Sequence, residues 1–147
     1  DLLEDDGAML LQAIVVDDRA YAVEKASRSF IRTMIFPNGC LPSQEVIARC
    51  VARVTDMRTV DLYDMTASYP ETLRRWRAAI DRHTHRLDEL GYDERFRRLW
   101  RLYLCYSEGG FEERRIGDVQ LTLAKPGWRG PSVGERPRAQ RLVQGAA

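Results

Sequence analysis

The most constraining stretch of this sequence is AMLLQAIVV, Ala8 to Val16. It is apolar almost throughout, of strand length and rich in β-branched residues toward its end, the pattern of a central strand covered on both faces. Gln12 is the exception, because an amide buried in such a strand must find hydrogen-bond partners in the fold, in water or in a ligand. Asp17 and Asp18 follow directly. That puts polar chemistry at the strand's carboxyl edge, where open α/β sheets place their sites.

The rest of the chain reads as helices and two weaker strands around this one. Val23 to Met34 has helical periodicity and stops before the turn signal Pro37-Asn38-Gly39. Pro42 and Ser43 open a second helix, in which Val46, Ile47, Cys50, Val51 and Val54 form an apolar stripe expected to be buried. Arg58 to Met65 alternates weakly as a short strand. In Ser68-Tyr69-Pro70-Glu71 the Ser and Glu stand at capping-box spacing, and Pro70 suits a first helical turn. A long helix then carries Leu73, Trp76, Ile80, His83, Leu87 and Leu90 to a terminating Gly91. The next, from Asp93, repeats the pattern with Phe96, Leu99, Trp100, Tyr103 and Leu104 and breaks or loosens at Gly109-Gly110. So short a connection makes the two an antiparallel pair. Ile116 to Lys125 alternates as a third strand. Residues 1–128 thus read as one domain portion, and the Pro-, Gly- and Arg-rich 129–147 as a disordered basic tail.

With 23 basic and 22 acidic groups the net charge is +1, which gives no basis for nucleic-acid binding by the chain as a whole. Cys40, Cys50 and Cys105 are odd in number and too scattered for a zinc pattern, and they point to a reduced, cytoplasmic setting. No apolar stretch reaches the roughly 20 residues of a membrane span. The opening has no initiator Met and leads straight into the first strand, so the sequence reads as part of a longer chain.

No self-contained active site stands out. His83 and His85 are two apart on a helix and do not face each other. Cys40 has no histidine nearby in sequence to activate it, and no glycine-rich phosphate loop follows a strand. Tyr69, at a helix start, either packs as a boundary residue or directs its hydroxyl toward an anion attracted by free amide hydrogens. Phe36, Trp76, Tyr103, Tyr106 and Phe111 are either plain core or the wall of an apolar channel.

Three ordered runs narrow these alternatives: FIRTMIFPNGCLPS (Phe30 to Ser43), SYPETLRRW (Ser68 to Trp76) and GYDERFRRLWRLYLCYSEGGFEERRIGDVQL (Gly91 to Leu121). Together they resemble the cyclopropane-fatty-acyl-phospholipid synthase and mycolic acid methyltransferase family, over nearly all of Gly7 to Lys125. The resemblance implies an α/β fold, the C-terminal part of a seven-stranded class I methyltransferase (Rossmann-like) sheet with a helical lipid-binding cover. Ala8 to Val16 would be its fifth strand, Arg58 to Met65 the region of its sixth, and Ile116 to Lys125 its seventh.

The implied activity is S-adenosylmethionine-dependent methyl transfer to the double bond of an unsaturated fatty-acyl chain, giving a cyclopropane or a methyl or methylene branch. The donor site would lie mostly in a missing N-terminal half, leaving the isolated chain inactive. Family members also hold a bicarbonate ion as base. Tyr69 matches their tyrosine, Ile14 the residue that contributes backbone, and Gln12 stands at their histidine. Glutamine can donate to an anion but cannot carry positive charge or relay a proton.

The acyl channel of relatives is matched by Phe36, Leu73, Tyr103, Ser107 and Phe111, with Gly39 at the rigid turn. The implied partners are an unsaturated fatty-acyl lipid, the N-terminal half of the same protein and the inner face of a membrane as a peripheral contact, with no nucleic acid. The alternative reading is a non-catalytic lipid-binding or partner module. A strand Ala8 to Val16 left without its neighbour is also expected to drive non-native self-association.

Overall fold

The strand on which the sheet is built is β3 (Ile116–Ala124), not the apolar run near the start. In the computed structural model, which describes residues 2–130, β1 (Ala8–Val16) and β2 (Arg58–Asp64) both pair antiparallel with β3, in the order β1-β3-β2. In the numbering implied by the resemblance this is fifth, seventh, sixth. Apart from a bridge between Val16 and Ser43, β1 has a described partner along one edge only, as expected of a strand left without its neighbour, and its Met9 and Leu10 are exposed. The basic tail expected over 129–147 falls almost wholly outside the described residues.

Alternation along β3 divides the core in two. Val119, Leu121 and Leu123 face one way and, with Val15, form a buried cluster covered by Ile47 and Val51. Each such side chain contributes roughly 1.5–3 kcal/mol when fully buried. The covering residues belong to α2 (Gln44–Val54), whose first turn is capped by buried Ser43, the hydroxyl accepting from Val46 N at 3.3 Å. The expected stripe is only partly covered: Val46, Ile47 and Val51 are half-buried, while Cys50 is exposed and Val54 is 80% exposed at the helix end. On the opposite face Ile14 and Ile116 join a second cluster centred on Leu73, Leu104 and Phe111.

The second cluster is supplied by α3 (Tyr69–Arg82) and α5 (Glu94–Glu112). These run antiparallel as expected: Arg74 Nη1 donates to Glu108 and Glu112 at 3.0 and 2.9 Å, while Asp81, further along α3, accepts from Arg101, earlier on α5. Asp93 caps α5, accepting from Phe96 N at 2.8 Å. The expected break at Gly109-Gly110 does not occur, and α5 continues to Glu112. Burying Ser107 and Phe111 on the last turns outweighs a cost of about 1 kcal/mol per interior glycine.

Other local expectations are overturned by side chains that compete for the backbone. Val23 to Met34 is not one helix: α1 (Tyr21–Ala26) ends at an extended Ser27, and a separate π-helical turn covers Ile31–Ile35. The Arg32 guanidinium donates to the carbonyls of Glu24, Lys25 and Ser27, satisfying groups that a continuing helix would have bonded. Ser68 makes no capping-box bond, because a 3-10 turn over Thr66–Ser68 already leads into α3. The long helix to Gly91 is also divided, at His83, where α4 (Thr84–Glu89) begins. His83 is exposed there, with Nδ1 2.8 Å from Ala79 O, and does not lie on the buried stripe. Gly91 ends the segment with φ of +84°, a conformation glycine adopts freely.

Candidate functional site

A cavity of about 340 Å³ opens on the α3/α5 side of the sheet. That size lies within the range of roughly 300–1,000 Å³ usual for small-molecule sites. Ile14 of β1 and Ile116 of β3 form its floor, Tyr69 and Leu73 of α3 one wall, and Tyr103, Ser107 and Phe111 of α5 another. Phe36 and Gly39, from the turn after the π-helical segment, complete it. The structure therefore brings together eight of the nine residues singled out from the sequence. Gln12 alone is not part of the lining. Of the other aromatics, Tyr106 lines the cavity and Trp76 does not, being half exposed.

The wall is held by ring contacts and by the turn. Tyr69 stacks on Phe111 with centroids 4.3 Å apart, and Phe36 meets Tyr103 edge-on at 5.6 Å. Gly39 N donates to Phe36 O at 2.9 Å, which closes the turn carrying that ring. Burial raises the Tyr69 phenol above its ordinary pKa, and the charge of Asp118 raises it further, followed by Tyr103. Burial also raises Tyr103, against an opposing hydrogen bond with Ser107. Both phenols thus remain neutral donors at physiological pH.

Asp118 is the residue that sequence reasoning missed. It is 0% exposed, on the same sheet face as its register partner Ile14. Its backbone is fixed from both sides: Asp118 N donates to Thr66 Oγ1 at 3.1 Å, and Met65 N donates to Asp118 O at 2.8 Å. A Cβ at neighbouring Gly117 would lie 2.9 Å from Thr66 Oγ1, so glycine permits that hydroxyl to approach. Gln12 Nε2 donates to Asp118 Oδ2 at 2.8 Å, while Asp118 Oδ1 has no hydrogen-bond partner. Burial raises the Asp118 pKa, the Gln12 hydrogen bond opposes this, and Asp64 adds a further rise. An acid in the middle of the alternating strand IGDVQLTLA was the available signal.

Gln12 is itself exposed, contrary to the expectation of burial, because it lies on the strand edge that no described strand covers. Its need for partners is met within the sheet, since Oε1 also accepts from Gln120 Nε2 at 3.4 Å. His85 and all three cysteines are exposed, and among the described residues no cluster of His, Cys, Asp and Glu could hold a metal ion. No described helix is long and apolar enough to cross a membrane.

Residues 1–121 match the family model described as mycolic acid cyclopropane synthetase. The chain belongs to that family. Tuberculostearic acid methyltransferase UfaA1 of Mycobacterium tuberculosis is 36% identical over 126 residues, which is 86% of this chain and 30% of that protein. Among solved structures, cyclopropane synthase MmaA2 of Mycobacterium tuberculosis superposes with a TM-score of 0.71 at 27% identity, covering 84% of this chain and 46% of that one. Mycolic acid cyclopropane synthase CmaA1 complexed with SAH and CTAB gives the same TM-score, identity and coverage. The chain spans less than half the length of these relatives, and its α/β sheet is part of an S-adenosylmethionine-dependent methyltransferase fold. Among the described residues no strand is followed by a glycine-rich loop.

Proposed function

We propose that the whole protein methylates the double bond of an unsaturated fatty-acyl chain and that this chain supplies the acyl-binding part of the site. The observation carrying the reading is the apolar cavity itself, in which Phe36, Gly39, Leu73, Tyr103, Ser107 and Phe111 meet as one surface. Capture of CmaA1 with SAH and CTAB supports the same assignment. S-adenosylmethionine supplies an electrophilic sulfonium methyl group when bound by the remainder of the fold. The residues here bind the acyl chain, exclude water and present aromatic faces to the cation formed on the alkene, which ring quadrupoles stabilise. Loss of a proton then gives a cyclopropane or a methylene branch; a methyl branch would further require reduction.

The resemblance also implies bicarbonate as base, held by Tyr69, Ile14 and Gln12. Tyr69 and Ile14 border the cavity, but the Gln12 amide is committed to Asp118. This chain carries only part of the shell that the resemblance implies for the ion, and no step is derived through it. The acyl group is carried on a lipid at the cytoplasmic face of a membrane in this reading, which makes membrane contact peripheral.

The test is to incubate the whole protein with S-adenosylmethionine and vesicles of a monounsaturated phospholipid, followed by mass analysis of the released acyl chains. Chains one CH₂ heavier are expected. Vesicle binding with no mass gain would favour the second reading, a lipid-binding module, which the apolar cavity also fits.

A further inference from the structure

We propose that Arg32 is a positioning residue for the cavity: its guanidinium fastens α1 to the π-helical turn and so holds the Phe30 and Phe36 rings as a pre-formed lip for the acyl chain. The proposal rests on the acyl-binding part of the reading above. Its first support is that packing does not fix this segment. Neither α1 nor the turn Ile31–Ile35 contains a buried residue. The backbone is irregular as well: Phe36 N donates to Ile31 O at 2.8 Å in π-helical spacing, Asn38 stands at φ of +66°, and Gly39 N returns to Phe36 O at 2.9 Å. Single π-helical turns are rare and occur frequently at functional sites.

Its second support is the clamp itself. Arg32 Nη1 donates at 3.2, 3.1 and 2.7 Å to the carbonyls of Glu24, Lys25 and Ser27, five to eight residues back in the chain. These belong to the last turn of α1 and its cap, where a helix leaves carbonyls without partners and favours a cation. Ser29 braces the same turn from below. Its Oγ accepts from Arg32 N at 3.3 Å, and its carbonyl accepts from Thr33 N at 3.1 Å and Thr33 Oγ1 at 2.9 Å.

Its third support is what the clamped segment carries. Phe36 meets Tyr103 edge-on at 5.6 Å and Phe30 meets Tyr106 edge-on at 5.1 Å, and both tyrosines line the cavity. Glu24, Ser29 and Arg32 line it too, so the clamp and the rings border one space. A lip already in its bound arrangement spares the ligand the cost of ordering it. The benefit falls on affinity for the acyl chain and not on the chemical step.

The experiment compares the whole protein with its Arg32→Met, Arg32→Lys, Phe36→Ala and Arg32→Met/Phe36→Ala forms. Methionine keeps an apolar stem without a donor, whereas lysine brings three donors on a stem of similar length. Arg32→Met is expected to raise the Kd for a monounsaturated lysophospholipid, and the KM for acyl lipid in methyl transfer, about tenfold with kcat unchanged. Arg32→Lys is expected to recover most of the loss. In the Phe36→Ala background the Arg32→Met step is expected to change Kd by less than about twofold, since both substitutions disable the same lip. Hydrogen exchange at the amides of Thr33, Phe36 and Gly39 is expected to quicken in Arg32→Met and to stay unchanged along β3. Should that variant not fold, Ser29→Ala is expected to quicken exchange at the same amides and to raise Kd.

An unchanged Kd in Arg32→Met or in its substitute Ser29→Ala, additive losses from Arg32→Met and Phe36→Ala, a loss confined to kcat, or no recovery in Arg32→Lys would each overturn the proposal. So would a wild-type advantage over Arg32→Met that disappears as salt is raised, because Arg32 would then act as a charge on the lipid headgroup. Coupled losses of lipid affinity, with no methyl transfer even by the wild type, would support the clamp and instead overturn the methyl-transfer reading.

Discussion

The two faces of one small sheet serve opposite ends. Toward α2, Val15, Val119, Leu121 and Leu123 close on Ile47 and Val51 in an apolar cluster. Toward α3 and α5, the same β3 strand offers Ile116 to a cavity and buries a carboxylate with an unpaired oxygen. The first arrangement maximises burial, while the second gives up packing and places a charge where it is costly. Stability and chemistry are thus assigned to alternate residues of one strand.

The largest effect expected from this division is on the closed face. Leu123→Ala should cost about 2–5 kcal/mol of unfolding free energy by denaturant titration, because a packed site collapses only partly around the lost atoms. A loss below ~1 kcal/mol would remove the contrast between the faces. Next, Tyr69→Phe should reduce turnover roughly 10²-fold while leaving donor affinity, measured by calorimetry, unchanged. Phe36→Ala, at the half-exposed rim, should weaken acyl-lipid binding about tenfold, worth about 1.4 kcal/mol, and move the melting temperature little.

Asp118→Asn should act in the reverse sense on stability. Its folded pKa is raised above the unfolded value, so the folded state holds the proton more tightly and loses stability as pH rises through that raised value. Removing the charge should therefore stabilise the protein at neutral pH by about 1 kcal/mol, with the gain vanishing below the ordinary carboxylate range. Equal stability of the two forms at every pH would show that the carboxylate is not strained by burial. The smallest effect is expected for Arg101→Ala, whose pair with Asp81 is exposed on both sides and should be worth less than about 1 kcal/mol.

Much of the cavity was legible in the sequence because its residues lie in dense motifs. Tyr69 and Leu73 share one run, and Tyr103, Ser107 and Phe111 recur at helical spacing in another. The strands were legible too, since period-two alternation in Ile116–Ala124 and the apolar run of Ala8–Val16 are strong local signals. Helix ends were not. The break at Ser27 depends on Arg32 reaching back to free carbonyls, and continuation through Gly109-Gly110 depends on packing against distant elements. Gln12 and Asp118 were harder still. They are 106 positions apart, and only strand pairing brings an amide read as an anion donor onto a carboxylate. The exposure of Met9 and Leu10 on β1 was not legible either, as apolar content does not say which elements cover a strand.

The most direct measurement is an isotope-edited nuclear Overhauser experiment on the whole protein with an acyl lipid labelled with ¹³C at its double bond. The cavity assignment predicts contacts from the alkene protons to the rings of Tyr69, Tyr103 and Phe111. Contacts confined to the α2 side of the sheet, or bound lipid with none to these rings, would contradict it.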